Sequence, residues 1–304
     1  MNTFLRMSCT TLFVNLFVIV CLSLNAQTKR ALVIGVGQYE DPEWGIINGD
    51  KDVLYVNSFL EKAMFPNTNI QKLVNQQATK SAIVDAFKTL AWQSNKGDIV
   101  YVHFSGHGQQ MKDMNNDEKD GLDECWIPYD AYRKPCDKDR GEKHLSDDEV
   151  NCYLNIIRDK IGDSGKLLVV IDACHSGDAT RGEDDEVVRG VTDIFEAIKS
   201  MLWHTSIGRG SSDVNPDARL NDERWITISA CKSDQVNTEM RNPAVGKLTY
   251  ALSEILKNNK VLNNNELIDH LERFVDENSG SRPQHPVVTG EDVSSYLITD
   301  ILIK

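Results

Sequence analysis

His107 and Cys174 are the residues whose types could act together on a carbonyl group. A cysteine thiol of ordinary pKa is only a few per cent thiolate near neutral pH, so it needs an adjacent base before it can attack. Histidine, with a pKa of about 6.5, can take the thiol proton and later return it to a leaving group. The pair therefore predicts covalent acyl transfer, with Cys174 as nucleophile and His107 as its acid–base partner.

Glycines flank both candidates, at Gly106, Gly108 and Gly177. They let a substrate backbone approach closely, and they free backbone N–H groups, that of Gly108 among them, to face a developing oxyanion. His175 is a second candidate for the base, but adjacent residues of an extended chain point to opposite sides. The sequence thus favours His107 over His175.

Both candidates follow segments that are predicted to be buried strands. Predicted strands cover 31–37, 70–74, 98–104, 166–172 and 225–229, with later ones at 285–288 and 296–303. Predicted helices cover 50–62, 79–92, 146–161, 193–203, 248–257 and 266–275. Strands that are apolar on both faces and alternate with helices indicate a mostly parallel α/β sheet, covered by helices on both sides. Ligands of such sheets bind outside the carboxyl ends of the strands, so we expect His107 and Cys174 in one crevice.

The first 26 residues resemble an export signal. Arg6 is their only charge, an apolar run from Leu12 to Leu24 follows, and the small residue Ala26 precedes a polar segment. This pattern predicts a cleaved signal peptide at 1–26 and a secreted or periplasmic protein. The apolar run is shorter than the roughly 20 residues of a bilayer span, so we expect no stable membrane span after cleavage. An uncleaved membrane anchor is the alternative.

The full chain has an ordinary globular composition, with 40% hydrophobic and 26% charged residues. Its formal net charge of −13 makes it a poor match for nucleic acid and suits it to basic substrates or divalent cations. Five of the seven cysteines lie beyond residue 26, and an odd number so widely spread is not a disulfide framework. With no internal repeat or linker, we expect one domain over residues 29–304.

The motifs Ser105-Gly-His-Gly and Asp172-Ala-Cys-His-Ser-Gly closely resemble the signature of metacaspases, within the caspase-like cysteine peptidases. True caspases instead carry Gln-Ala-Cys followed by Arg, Gln or Gly. The resemblance extends over most of the chain and includes the segments 31–37, 49–53, 117–124 and 228–235, with Glu239. It implies a caspase-like three-layer sandwich with a large part at 29–177, an intervening loop region at 178–222 and a small part at 223–304.

The resemblance also implies an activity. His107 and Cys174 would form a dyad that cleaves protein or peptide substrates after Arg or Lys through an acyl-enzyme thioester, without a required cofactor. Asp52 and Asp172 match the acidic residues that line the primary specificity pocket of metacaspases, and Ser105 lies beside them. Carboxylates in a narrow pocket select a guanidinium or ammonium group by charge-assisted hydrogen bonds.

Calcium is implied as a possible activator. The aspartates that bind the ion in calcium-dependent metacaspases match Asp123, Asp147 and Asp148, but their fourth ligand falls near Arg181, which is a cation. Asp147 and Asp148 also fall in the first turn of a predicted helix, where the helix dipole favours acidic residues in any case. The sequence therefore leaves both interpretations of these aspartates open.

The intervening region offers several basic residues after which the chain could cleave itself. They are Arg181, Arg189, Lys199, Arg209 and Arg219, and the segment Ile207–Ser212 has the most flexible composition. Three other functions remain open: a caspase-fold binding module without catalysis, a clostripain- or gingipain-type peptidase of the same clan, and a calcium-binding surface protein.

Overall fold

The computed structural model describes residues 27–113, 120–174, 186–197, 224–257, 262–280 and 282–303. The predicted signal peptide and the segment Ile207–Ser212 lie outside these ranges. Among the helices of the described ranges, none is long and apolar enough to cross a membrane.

Eleven strands and six α-helices are described. The strands are β1 (Lys29–Gly35), β2 (Ile70–Val74), β3 (Ile99–Ser105), β4 (Gly108–Lys112), β5 (Leu122–Trp126), β6 (Leu145–Ser146), β7 (Lys166–Asp172), β8 (Ile226–Ser229), β9 (Glu239–Met240), β10 (Val245–Gly246) and β11 (Val287–Thr289). The helices are α1 (Gly49–Lys62), α2 (Lys80–Gln93), α3 (Asp147–Ile161), α4 (Lys247–Lys257), α5 (Asn264–Glu277) and α6 (Ile298–Leu302).

A six-stranded sheet forms the middle layer, in the order β11-β8-β7-β3-β1-β2. All neighbouring strands are parallel except the edge strand β11, which pairs antiparallel with β8. The central strand β3 is buried at every residue, as expected for a parallel strand with helices above and below it. The predicted α/β sandwich with a mostly parallel sheet is confirmed.

Helices cover both faces of this sheet because the strands are apolar on both sides. Tyr101 of β3 joins a core with α1, α4, α5 and α6, and its neighbour Val102 joins the opposite core with α2 and α3. Helix α3 begins at the predicted capping residue, since the Ser146 hydroxyl accepts a hydrogen bond from the Glu149 N–H.

Strand register brings the candidate catalytic residues to one edge. Ser105, the last residue of β3, lies opposite Asp172, the last residue of β7. His107 and Cys174 follow two residues later on neighbouring strands, so the chain places them side by side at the carboxyl ends.

Three local predictions differ from the structure. The stretch after His107, for which the sequence predicted no strand, contains the antiparallel β4–β5 hairpin. Residues 296–303, predicted as a strand, instead contain α6, which buries Ile298, Ile301 and Leu302 at helical spacing. The helix predicted from residue 193 is absent over residues 193–197, where Phe195 instead forms a bridge with Met111 of β4.

Candidate active site

His107 lies in the turn between β3 and β4 and is almost completely buried. Its Nε2 atom lies 2.9 Å from the carbonyl oxygen of Gly45. A carbonyl can only accept, so Nε2 carries the proton and Nδ1 holds the lone pair. Nδ1 has no hydrogen-bond partner among the described residues. The ring of Trp44 stacks on the imidazole at 5.1 Å between centroids and holds its orientation.

The electrostatic surroundings keep this histidine neutral. Burial is the largest cause that lowers the pKa of His107 to about 4; the charges of Arg189 and Arg133 act in the same direction, and the hydrogen bond with the Gly45 carbonyl opposes them. At neutral pH the imidazole is therefore an unprotonated base with an available Nδ1 lone pair.

Cys174 is buried just beyond the end of β7. Its thiol donates to the carbonyl oxygen of Gln235 at 2.9 Å, and the Cys231 thiol donates to the same oxygen at 3.5 Å. The hydrogen bond with the Cys174 thiol, together with burial, raises the pKa of Cys231, which keeps Cys231 protonated. In this conformation the Cys174 proton points to a carbonyl oxygen and not to His107.

Three buried carboxylates converge beside the thiol. Asp52 comes from α1, Asp172 from the end of β7 and Glu239 from β9. Ser105 Oγ donates to Asp52 at 2.8 Å, and Thr249 Oγ1 donates to Asp172 at 2.7 Å. The structure thus brings together the predicted pocket residues Asp52, Ser105 and Asp172 and adds Glu239 and Thr249.

The guanidinium group of Arg189 fills the space between these carboxylates and is fully buried. Its Nη1 atom lies 2.6 Å from Asp52 Oδ2 and 3.3 Å from Asp172 Oδ1. Its Nε atom donates to Glu239 Oε1 at 3.0 Å. Fork-shaped donors that meet carboxylates on several sides make strong charge-assisted hydrogen bonds, so the three carboxylates hold the Arg189 guanidinium in one orientation.

The charges of the pocket depend on one another. Burial raises the pKa of Asp52 to about 6, the Asp172 charge adds to this rise, and Arg189 opposes it. Burial also acts to raise the pKa of Asp172, but the Arg189 charge and the hydrogen bonds from Asn237 and Thr249 lower it overall. Without the Arg189 charge, these close buried carboxylates would repel one another, and the pKa of at least one of them would rise.

The backbone around Arg189 is extended and lies across the nucleophile. The Arg189 carbonyl oxygen accepts from the N–H of Cys174 at 3.0 Å and from that of Gly108 at 3.3 Å. Arg189 N–H donates to Asn237, and Val187 accepts from Glu239, so the segment adds to β9 in the manner of a short antiparallel strand. A peptide with its side chain in a pocket and its carbonyl between two N–H donors beside a thiol is placed as a substrate would be.

The next residue, Gly190, fits only because it has no side chain. A Cβ atom there would lie 2.3 Å from the Cys174 carbonyl oxygen and 3.1 Å from the Cys174 Cβ. The bond between Arg189 and Gly190 therefore lies directly against the candidate nucleophile.

The sequence indicated Arg189 only as one of five basic residues and Glu239 only as part of a resemblance. Arg189 lies 137 positions from Asp52 and 50 from Glu239, so no local pattern could pair them. Glycine directly follows Arg189, but it also follows Arg181 and Arg209, so this feature did not single out Arg189.

The aspartates predicted to hold calcium lie at another part of the fold. Asp123 is on β5, and Asp147 and Asp148 form the first turn of α3, which the pairing of Cys125 with Ser146 brings close. Over the described ranges, no group of three or more His, Cys, Asp or Glu side chains is arranged to hold a metal ion. Residues 175–185, where the fourth ligand would fall, lie outside the described residues, so calcium activation stays a prediction.

A family profile described as "Caspase domain" matches residues 28–297, which is most of the chain and includes the whole site. The chain belongs to the caspase-domain family. Its predicted resemblance to metacaspases within this clan is confirmed by the curated relatives that it matches.

Three of these relatives are metacaspases. The caspase-domain chain is 29% identical over 243 residues to Metacaspase-1 of Plasmodium falciparum, covering 76% of this chain and 35% of the relative. It is 31% identical over 192 residues to Metacaspase-1B of Aspergillus fumigatus, covering 57% and 44%. It is 33% identical over 157 residues to Metacaspase-2 of Arabidopsis thaliana, covering 49% and 34%. The matched part is thus less than half of each relative's length.

Solved structures show the same fold. A protein from Geobacter sulfurreducens is similar with a TM-score of 0.59 and 23% identity, covering 86% of this chain and 92% of that one. Caspase-1 from Spodoptera frugiperda is similar with a TM-score of 0.56 and 11% identity, covering 87% and 86%. At these identities the likeness concerns the caspase fold alone.

Proposed function

We propose that this caspase-domain protein is a cysteine endopeptidase that cleaves peptide bonds after Arg or Lys. One observation carries the proposal: the chain's own Arg189 lies in the pocket with its carbonyl against the nucleophile. Its guanidinium contacts the buried carboxylates of Asp52, Asp172 and Glu239, while its carbonyl oxygen accepts from two backbone N–H groups. This arrangement supports the basic specificity and the acyl-transfer chemistry together.

The reaction begins when the Cys174 thiol turns from the Gln235 carbonyl toward His107. His107 Nδ1 takes the thiol proton as Sγ bonds to the carbonyl carbon of the basic residue, and the N–H groups of Cys174 and Gly108 stabilise the oxyanion. The C–N bond then breaks as His107 returns its proton to the leaving amine, which leaves a thioester. His107 next deprotonates a water that attacks the thioester, the new carboxylate departs, and the proton returns to Sγ.

The first substrate of this site is the enzyme itself, at the Arg189–Gly190 bond. Among the basic residues of the intervening region, Arg189 is the one that the described residues hold against Cys174. A segment held in place on the same chain acts at an effective concentration of about millimolar, so it outcompetes dilute substrates until it is cut or released. The segment Ile207–Ser212 lies outside the described residues and remains the alternative cut site.

A comparison of purified wild-type and Cys174→Ala protein tests the proposed function. Peptide reporters ending in Arg, Lys or Asp are supplied with and without calcium, after the wild-type protein has been incubated long enough to cut itself. We expect cleavage of the Arg and Lys reporters only, and its complete loss in Cys174→Ala. Folded wild-type protein that cleaves no reporter, or cleaves the Asp reporter, would refute the proposal and favour a non-catalytic binding module or a different pocket.

The pH dependence of the Arg reporter should reveal the pocket carboxylates. Asp52 must be ionised to bind a guanidinium, and burial raises its pKa to about 6 even with the Arg189 charge beside it. An empty pocket lacks that charge, so kcat/KM, which reports the free enzyme, should fall as the pH drops through about 6 or a higher value. The pKa of His107 is about 4, too low to cause that fall. Alkylation of Cys174 by iodoacetamide, followed by mass spectrometry, needs no pocket charge and should show no step near pH 6. A single acid limb near pH 4 in both assays would contradict the assignment.

We also propose that the protein is exported, on the strength of its N-terminal charge and hydropathy pattern. Expression in a bacterium followed by N-terminal sequencing of the periplasmic and extracellular fractions tests this. Recovery of a chain that begins near Gln27 is expected, and recovery of uncut chain in the membrane fraction would indicate an anchor.

A further inference from the structure

The residues that follow the Arg189–Gly190 bond lie in a groove on the other side of the nucleophile. We call it the primed-side groove, and it is formed by the edge of β4 together with Trp44, Ile127, Arg133, Gly141 and His144. Of the seven residues 191–197, Val191 and Phe195 are buried at 5% and 1% exposure, while the residues between them are exposed. Two anchors therefore hold this stretch in the groove.

Phe195 is the stronger of the two anchors. Its ring lies 4.2 Å from that of His144, and a Cβ atom on Gly141 would lie 3.2 Å from it. Gly141 has a φ of +120°, a conformation that favours glycine, so the backbone here makes room for an aromatic ring. With Val191, Phe195 completes a small apolar cluster that is separate from the two cores on the central sheet.

Backbone and polar contacts fix the register of the segment. The N–H of Phe195 donates to the Gln110 carbonyl at 2.8 Å, which adds the segment to β4 as an edge strand. The side-chain amide of Gln109, fully buried, donates to the Asp193 carbonyl at 2.9 Å. Arg133 Nη2 and Nε donate to Asp193 Oδ2 at 2.6 and 3.1 Å. An occupant must therefore lie in one register to satisfy these groups.

The groove is built for an occupant that can leave. Gln109 Nε2 donates both to the Asp193 carbonyl of the segment and, at 3.1 Å, to the Arg133 carbonyl of the fold, so the buried amide keeps one partner when the segment departs. A departing segment would also open an apolar cleft the size of a phenylalanine ring, which a second peptide chain with the same spacing can fill.

We propose that the primed-side groove is a specificity site for protein substrates. It takes an apolar residue at the second position after the cleaved bond, an acidic residue at the fourth, paired with Arg133, and an aromatic residue at the sixth. This inference rests on the proposed function and adds recognition of the half of the substrate that leaves first. The apolar and aromatic residues contribute to substrate binding by burial, and the acidic residue contributes through its two hydrogen bonds with Arg133. The pocket that holds the Arg189 side chain determines which bond is cut.

Internally quenched peptides that reproduce residues 186–197 test the inference, since a change in a peptide cannot unfold the enzyme. The enzyme is the full chain with the substitutions Arg189→Gln and Phe195→Ser. These two changes weaken the binding of the chain's own segment at both of its ends. Replacing the peptide's aromatic residue by Ala should lower kcat/KM by at least about 10-fold. Replacing the neighbouring residue, which corresponds to the 47% exposed Ile194, should change it less than about twofold.

A double-mutant cycle tests the ionic contact. Changing the peptide's Asp to Ala should lower kcat/KM several-fold with Arg133 present and leave it unchanged in an Arg133→Gln enzyme. Lys134→Gln is the matched control, because Lys134 is a neighbouring exposed cation that pairs with Glu43. Equal losses in all three enzymes would overturn the assigned contact.

Two further readouts separate this inference from the proposed function. A Val-Val-Arg reporter with a small fluorescent leaving group has no primed-side residues, so its kcat/KM measures each enzyme without the groove. Dividing each peptide's kcat/KM by that of the reporter removes any effect of the Arg133 charge on His107. If that reporter is cleaved while the Phe-to-Ala peptide has the same kcat/KM as the parent peptide, the groove is not a specificity site. If neither these enzymes nor the self-cut wild type cleaves any reporter, the proposed function fails. Anisotropy of a labelled peptide of residues 190–197 then decides the groove: weaker binding after Phe-to-Ala supports it, and equal binding refutes it.

Discussion

Replacing Asp52 by asparagine should lower kcat/KM for Arg reporters by about 10³-fold, since a desolvated ion pair that loses one partner costs about 2–5 kcal/mol. Asp52 makes the shortest contact with the guanidinium of Arg189, and the neutral amide would leave a buried cation short of one charge. The measurement is steady-state cleavage of Arg, Lys and Gln reporters by self-cut wild-type and variant protein.

Asp50→Asn is the matched control for this experiment. Asp50 lies on the same helix α1 and undergoes the same chemical change, but its contact is with Asn75 and not with the pocket. We expect its kcat/KM to stay within about twofold of wild type, as is usual for substitutions away from a buried network. Equal activity of Asp52→Asn and Asp50→Asn toward Arg reporters would show that Asp52 does not select the basic residue.

The second large effect concerns the chain's own segment. Arg189→Gln should abolish cleavage between residues 189 and 190, because a neutral side chain leaves the buried carboxylates without a counter-charge. Arg189→Lys keeps the charge but not the planar fork, so it should still be cut, at a lower rate. Gel electrophoresis with sequencing of the new N-terminus at Gly190 measures both.

Arg224→Gln serves as the control for removal of an arginine elsewhere, since Arg224 pairs with Asp159 at the surface. We expect Arg224→Gln to be cut between residues 189 and 190 at the wild-type rate. Cleavage of Arg189→Gln at the same bond and rate would mean that Arg189 occupies the pocket without directing the cut. A wild-type chain that stays intact while it hydrolyses reporters would rule out self-cleavage as a requirement for activity.

The sequence was sufficient to predict the sheet and the position of the dyad, because both depend on local patterns. Buried strands show as continuous apolar runs, and parallel strands bring their carboxyl ends to one edge, so these patterns alone place His107 and Cys174 together. Asp172 ends β7 at the same edge, but its place in the pocket came from the family resemblance. Asp52 required the family resemblance, because a helical aspartate alone does not indicate a pocket.

The occupant of the pocket could not be predicted in this way. Val191 and Phe195 are four residues apart, a spacing that places side chains on one face of a helix and equally on one face of a strand. The pattern suggested a helix nearby, whereas pairing with β4 and β9 selects an extended chain. The choice between helix and extended chain depends on contacts with β4, which is far away in sequence. The same holds for α6, since its β-branched residues favour a strand and only packing against the core selects a helix.

The two N–H groups that hold the Arg189 carbonyl belong to the main chain, at Cys174 and Gly108. No change of side chain at residue 174 removes such a donor, and the carboxylates of the pocket lie on other elements. A chain that lost only its thiol would therefore still bind an arginine residue in the pocket but could not cleave the bond that follows it. In this architecture a single sulfur atom separates a peptidase from a receptor for basic peptides.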